Sequence, residues 1–112
     1  AMAAQDAALE EFSGKQMMSS MFEVGKKYWM ETAIWVYFGE CIHVGFDFIV
    51  LKNACRVPVD GRHNVFMREG AEAAEGAEVE KTGSKTGGVM RIPLDWIGPN
   101  CEWEHGIPAV SI

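Results

Sequence analysis

Cysteine is scarce in this 112-residue chain, which has only Cys41, Cys55 and Cys101. An odd set that small does not build a paired disulfide framework. It fits a reducing compartment, where such thiols act as small apolar side chains, and the localisation is read as cytoplasmic. Long apolar runs are also missing. The strongest, Phe46 to Leu51, is far too short to span a bilayer and carries Asp47, so no membrane partner is expected. The N-terminus shows no basic segment leading into an apolar run and a cleavage site, which argues against secretion. Basic residues are outnumbered, with ten Lys and Arg against sixteen Asp and Glu and a formal charge of −6. That balance disfavours a broadly basic nucleic-acid binder and leaves only a local basic face open.

Motifs of catalysis are missing as well. The run Thr82 to Gly88 has some letters of a phosphate-binding loop but not their order between a strand and a helix. No nucleophile elbow surrounds Ser13, Ser19, Ser20, Ser84 or Ser111. No catalytic residue, metal or cofactor is assigned.

What is present is the material of one folded domain. Hydrophobic residues make up 48% of the chain, enough for a single core at this length. Residues 1–20 read as an arm or short helix, with Leu9 and Phe12 on one face and Gly14 weakening it. Residues 21–112 read as the domain proper. Lys27 to Phe38 alternates as one long strand, with Trp29, Trp35 and Tyr37 on one parity and Met30, Ile34 and Phe38 on the other. Gly39-Glu40 marks a turn or a bend within a curved strand.

Further strand candidates are Glu40 to Phe46 and Phe48 to Asn53, with a bend at Asn53. Pro58 places Cys55 to Val59 at an edge or outside regular pairing. Asp60 to Asn64 is a turn signal before Val65-Phe66-Met67. An acidic insert occupies 69–88, where Glu69, Glu72, Glu75 and Glu78 recur every three positions. It reads as a short alanine-containing helix, then a long hairpin or loop from Glu78 to Gly88. Val89 to Ile92 and Leu94 to Ile97 follow as short apolar segments around Pro93, and Gly98-Pro99-Asn100 is a further turn. The fold expected is mainly β: a single strongly curved antiparallel sheet or small barrel with one or two short helices.

Gly39, Asp47-Phe48, Leu51 and Asn53, in successive strand candidates between about Gly25 and Ala54, resemble part of an Sm-like or SH3-like small barrel. Ile92-Pro93 to Ile97 would be its closing segment. The aromatic strand and the Leu51-Lys52-Asn53-Ala54 run are also similar to small bacterial and mobile-element proteins. An Sm-like resemblance implies ring assembly and RNA recognition, with Asn53 near a pore and Arg56 and Arg91 as candidate nucleic-acid contacts. The basic residue and glycine of the later Sm motif have only Arg91-Ile92-Pro93 as a degenerate substitute.

Three candidate sites follow. Trp29, Trp35 and Tyr37 form a candidate interface, because an outward aromatic face is relieved by burial against another subunit; pointing inward, they would only fill the core. Trp103, Glu104 and His105 are candidate ligand-binding residues, with Glu102 sharing the parity of Glu104. Cys41, His43, Cys101 and His105 have zinc-ligand chemistry but need tertiary structure to meet. The functional expectation is a homo-oligomeric small-barrel interaction protein. An Sm-like RNA-binding module and a small-molecule-binding protein are the alternatives.

Overall fold

The computed structural model describes residues 19–82, 88–109 and 111–112. The expected arm therefore lies outside the described residues up to position 18, as do residues 83–87 of the expected loop. Six strands run in the order β1 (Lys27–Glu31), β2 (Val36–Val44), β3 (Phe48–Val59), β4 (Glu78–Lys81), β5 (Met90–Pro93) and β6 (Asn100–Glu102). Helix α1 (His63–Glu69) lies between β3 and β4. Single 3-10 turns cover Ala71–Ala73 and Leu94–Trp96.

All pairings are antiparallel, and the sheet order is β4-β3-β2-β1-β6. β5 pairs with the first half of β3, along Phe48 to Leu51, while β4 pairs with its second half, along Cys55 to Val59. The outermost strands β4 and β6 do not pair with each other, so the sheet is open. This corrects the expectation of a strongly curved sheet or small barrel: the domain is a mixed α/β fold with a six-stranded open sheet.

The physical reason is that both faces of the sheet are covered. A barrel buries one interior face. Here Tyr28 and Met30 of β1 enter one core with Cys41, Ile49, Leu51, Ile92 and Leu94. Trp29 between them enters a second core on the opposite face, with Phe38, Cys55, Phe66, Val79 and Trp103. Phe22, Leu94 and Ile97 cover the first face; α1 and Trp103 cover the second. With both faces shielded from water, closure is not needed to bury the apolar parities.

The structure decides three local readings. The expected strand Lys27 to Phe38 is two strands, because Thr32 turns the chain. Its backbone N–H donates to Trp35 O at 2.8 Å. Its hydroxyl donates to the same oxygen at 2.7 Å and accepts from Trp35 N–H at 3.1 Å. Gly39-Glu40 lies inside β2, where the register shifts between Phe38 and Glu40. The bend in a strand was the alternative that holds there. Of the hairpin or loop read from Glu78 onward, Glu78 to Lys81 is a strand, paired with β3 and with Val79 fully buried.

Helix α1 occupies the segment after the Asp60-Gly61 turn. Its buried residue is Phe66, edge-on to Phe38 at 6.2 Å and tilted against Trp103 at 5.4 Å. Cys55 to Val59, expected at an edge or outside regular pairing, is instead the second half of β3, with Cys55 and Arg56 paired to both β2 and β4. Pro58 sits where the β3–β4 register slips between Arg56 and Val59, which accommodates its missing N–H. Gly61, at φ 63°, starts the approach to α1, and a Cβ there would lie 2.6 Å from Glu75 O. Gly76 also has positive φ, 79°, but open space around it.

This contrast predicts unequal costs for two glycine substitutions. Gly76→Ala should lower stability by about 1 kcal/mol through backbone strain alone. Gly61→Ala should cost at least twice that, roughly 2 kcal/mol or more, because backbone must also move. Urea unfolding of the two variants checks the order; equal midpoints would contradict it.

Candidate functional site

The tryptophans divide into two buried and two exposed. Trp29 and Trp103 are core residues. The Trp29 indole N–H is buried without a hydrogen-bond partner among the described residues, and its ring meets His63 edge-on at 5.8 Å. Trp103 tilts against Phe38 at 4.9 Å and is 2% exposed. Trp35 and Trp96, by contrast, are 40% and 61% exposed.

The expected face of Trp29, Trp35 and Tyr37 is thus split. The Thr32 turn breaks the parity between β1 and β2, which sends Trp29 into the second core. Tyr37 instead packs against the first core, opposite Met30. Trp35 stays at the turn beside Ile34, which is 76% exposed.

A groove of about 320 Å³ lies between this turn and the Leu94–Trp96 segment, lined by Thr32, Ile34, Trp35, Tyr37, Asp95 and Trp96 among others. Its two walls are far apart in sequence but tied by backbone. Leu94 is anchored in the first core and its N–H donates to Asp47 O at 2.8 Å. Glu31, at the end of β1, then holds the chain that follows Trp96. Gly98 N–H donates to Glu31 O at 2.7 Å, and Glu31 N–H donates to Pro99 O at 2.8 Å. This pair of hydrogen bonds sets Trp96 beside the β1–β2 turn.

Charge at the groove is unequal. The Arg56 guanidinium stacks over the Trp35 ring, 4.0 Å from its centre, and pairs with Glu80. Asp95 is exposed on the rim and makes no ion pair or hydrogen bond among the described residues. The open charge of the groove is therefore a carboxylate set against aromatic and aliphatic surface.

The candidate nucleic-acid contacts do not converge. Arg56 is occupied as above. Arg91 lies opposite Val50 and stacks over Phe48 at 4.5 Å, with the His43 ring on the same phenyl group at 5.7 Å. Six positions of extended β3 separate Val50 from Arg56, about 20 Å. Asn53 lies between, in the left-handed region at φ 54°, and its carbonyl accepts from Lys81 Nζ at 3.2 Å. A pore-lining or shared basic face is not formed by these three.

In the Trp103, Glu104 and His105 group the two rings meet edge-on at 5.0 Å, but the three side chains do not line one open site. Trp103 is inside the core, Glu104 is exposed, and His105 closes a smaller cleft of about 180 Å³ beside Glu69, Gly70 and Glu72. His105 Nε2 lies 2.9 Å from Met67 O, and its own carbonyl accepts from Lys27 Nζ. The first bond fastens the segment after β6 to α1 and the second fastens it to β1. The four candidate zinc ligands are not assembled: Cys41 is buried and Cys101 exposed, and no group of three or more His, Cys, Asp or Glu able to hold a metal occurs among the described residues.

Comparison with protein-family models, with curated proteins and with solved structures finds no match. The likeness to Sm-like and SH3-like barrels fails on the open sheet, because Ile92 to Ile97 closes nothing. Only its Ile92 and Pro93 pair, with Ile49 and Phe48, before the chain breaks into the turn that carries Trp96. The ring-forming and RNA-binding expectations built on that barrel fall with it, and nothing supports a kinship with mobile-element proteins. The small-molecule reading built on Trp103, Glu104 and His105 loses its aromatic wall to the core.

Asp95 and Trp96 were missed as partners of Trp35. Their local signal is faint: Pro93 forces an end to β5, after which one apolar residue, Leu94, is buried and the next two are exposed.

Two predictions follow from these placements. In acrylamide quenching of tryptophan emission, Trp35 and Trp96 should form the accessible class, and a Trp35→Phe, Trp96→Phe double variant should keep only the shielded class. An accessible class that survives in the double variant would contradict the geometry. The second concerns the buried thiols. Burial pushes Cys41 and Cys55 above the ordinary thiol value of 9.0, opposed at Cys55 by the nearby Lys81 charge. A raised folded-state pKa means their contribution is complete below about pH 9 and is lost as pH rises through the folded value. Stability in urea should decline as pH rises above about 9, less steeply in a Cys41→Ala, Cys55→Ala double variant.

Proposed function

We propose that this chain is a protein-docking domain whose groove between Trp35 and Trp96 receives an apolar side chain of a different protein, flanked in that partner by lysine or arginine. The observation that carries the reading is the pair of exposed tryptophans, brought together from separate segments with exposed Ile34 and an unpaired Asp95. Tryptophan is enriched among residues that dominate binding energy, and contiguous exposed apolar surface is a mark of interaction sites. Asp95 and the net charge of −6 favour a cationic partner over a second copy of an equally acidic chain. The same carboxylate repels phosphate, which weighs against nucleic acid at this groove. Among the described residues no helix is long and apolar enough to cross a membrane.

The test is selection of displayed random peptides on the full chain, with Trp96→Ala as counter-target. Selected peptides should pair an aromatic or aliphatic residue with a neighbouring Lys or Arg. Trp96→Ala should weaken their binding about 30-fold, in line with roughly 2 kcal/mol for a dominant tryptophan. Asp95→Asn should weaken it about threefold and reduce its salt dependence. Peptides bound equally well by Trp96→Ala would overturn the reading. Concentration-dependent self-association in light scattering that Trp96→Ala abolishes would also overturn it, and would make a second copy the occupant.

A further inference from the structure

β4 ends the sheet on its side, so its outer edge offers backbone donors and acceptors to another strand. That edge is occupied by a distant segment of the same chain. Ile112 N–H donates to Val79 O at 2.8 Å, and Val79 N–H donates back to Ile112 O at 3.2 Å. Lys81 N–H, the next outward donor, is capped by Ser111 Oγ at 3.0 Å.

The hold is almost wholly main-chain. Ser111 and Ile112 both leave their side chains exposed, Ile112 at 46%, so no buried side chain of this pair specifies it as the occupant. Hydrogen bonds of this kind are available to any extended backbone. The charge is also unmatched. Glu78 is exposed without an ion pair among the described residues, while Glu80 is paired to Arg56. The sequence from Ile107 to Ile112 carries no charged side chain to set against Glu78.

We infer that the outer edge of β4 is a strand-addition site, filled here by Ser111–Ile112, and that an extended lysine- or arginine-bearing segment of a partner protein replaces this pair. The replacing strand would make the same bonds to Val79 and Lys81 and add a cation beside Glu78. The inference does not depend on the groove, which lies across Arg56 on the other side of β4's pairing with β3.

Amide exchange by NMR on the full chain tests it, comparing wild type with Ile112→Pro, which removes the N–H donated to Val79 O. The milder Ser111→Ala, which removes only the cap on Lys81, serves if Ile112→Pro does not fold. Exchange at Val79 should rise at least tenfold in Ile112→Pro, and exchange at Lys81 should rise in either variant. Glu80, opposite Arg56 of β3, should be unchanged. An alternating Lys-Val octapeptide should restore protection and shift the resonances of Glu78 to Lys81, whereas a Glu-Val octapeptide should not. The same response in a Trp96→Ala background would separate this site from the groove.

Three results would overturn the inference. One is no effect of the Lys-Val peptide once the edge amides exchange freely. Another is an equal response to the Glu-Val peptide. The third is concentration-dependent protection of Val79 without any peptide, which would make a second copy of β4 the occupant.

Discussion

Twelve residues of β3 hold this domain together, and they do so by serving two cores in succession. Ile49 and Leu51 point into one core, whereas Cys55 and Val57 point into the other. All four are odd-numbered, so a regular strand would put them on one face. The change occurs around Asn53, whose φ of 54° inserts a step into the alternation. Asparagine tolerates this region better than most residues, because its short polar side chain meets little steric opposition there. The step also lets β3 pair with two different strands along one edge, β5 before it and β4 after it.

From that strand the exposed features acquire their positions. β5 leads directly into the turn that carries Asp95 and Trp96, so the first half of β3 sets one wall of the groove. The second half bears Arg56, which stacks on Trp35 and pairs with Glu80 of β4. Groove and sheet edge are therefore two surfaces of one framework joined by a single guanidinium. A planar, permanently charged group suits this task, because it can lie flat on an indole and still present its edge to a carboxylate. The opposite face is devoted to packing, where Trp29, Phe38, Phe66 and Trp103 form a continuous aromatic core under α1.

Much of the strand content was legible. The apolar run after Phe48 and the irregularity at Asn53 correspond to features of β3, whereas the run Lys27 to Phe38 is broken at Thr32 and Cys55 to Val59 lies inside the sheet rather than at an edge. Its architecture was not. Large apolar groups on both parities of the early strand are compatible with a barrel plus an interface and with a sheet covered on two sides. What decides between them is the packing of Phe66, Leu94 and Trp103, which come from segments 30 to 70 positions further on. Helix α1 was hidden for a related reason. Its seven residues contribute a single buried side chain, Phe66, too little periodicity to read from a window of that length.

The scarcity of cysteine and of basic residues, the absence of a long apolar run and the irregularity at Asn53 were determined by the sequence alone. These depend on composition and on local backbone chemistry. Which tryptophans are exposed was decided by tertiary structure. The Thr32 turn separates Trp29 from Trp35, and the backbone bonds of Glu31 to Gly98 and Pro99 bring Trp96 to the same turn. Such bonds use groups that every residue carries, so side-chain identity does not announce them. The groove is built from residues the sequence displays but from a proximity that only the folded backbone creates.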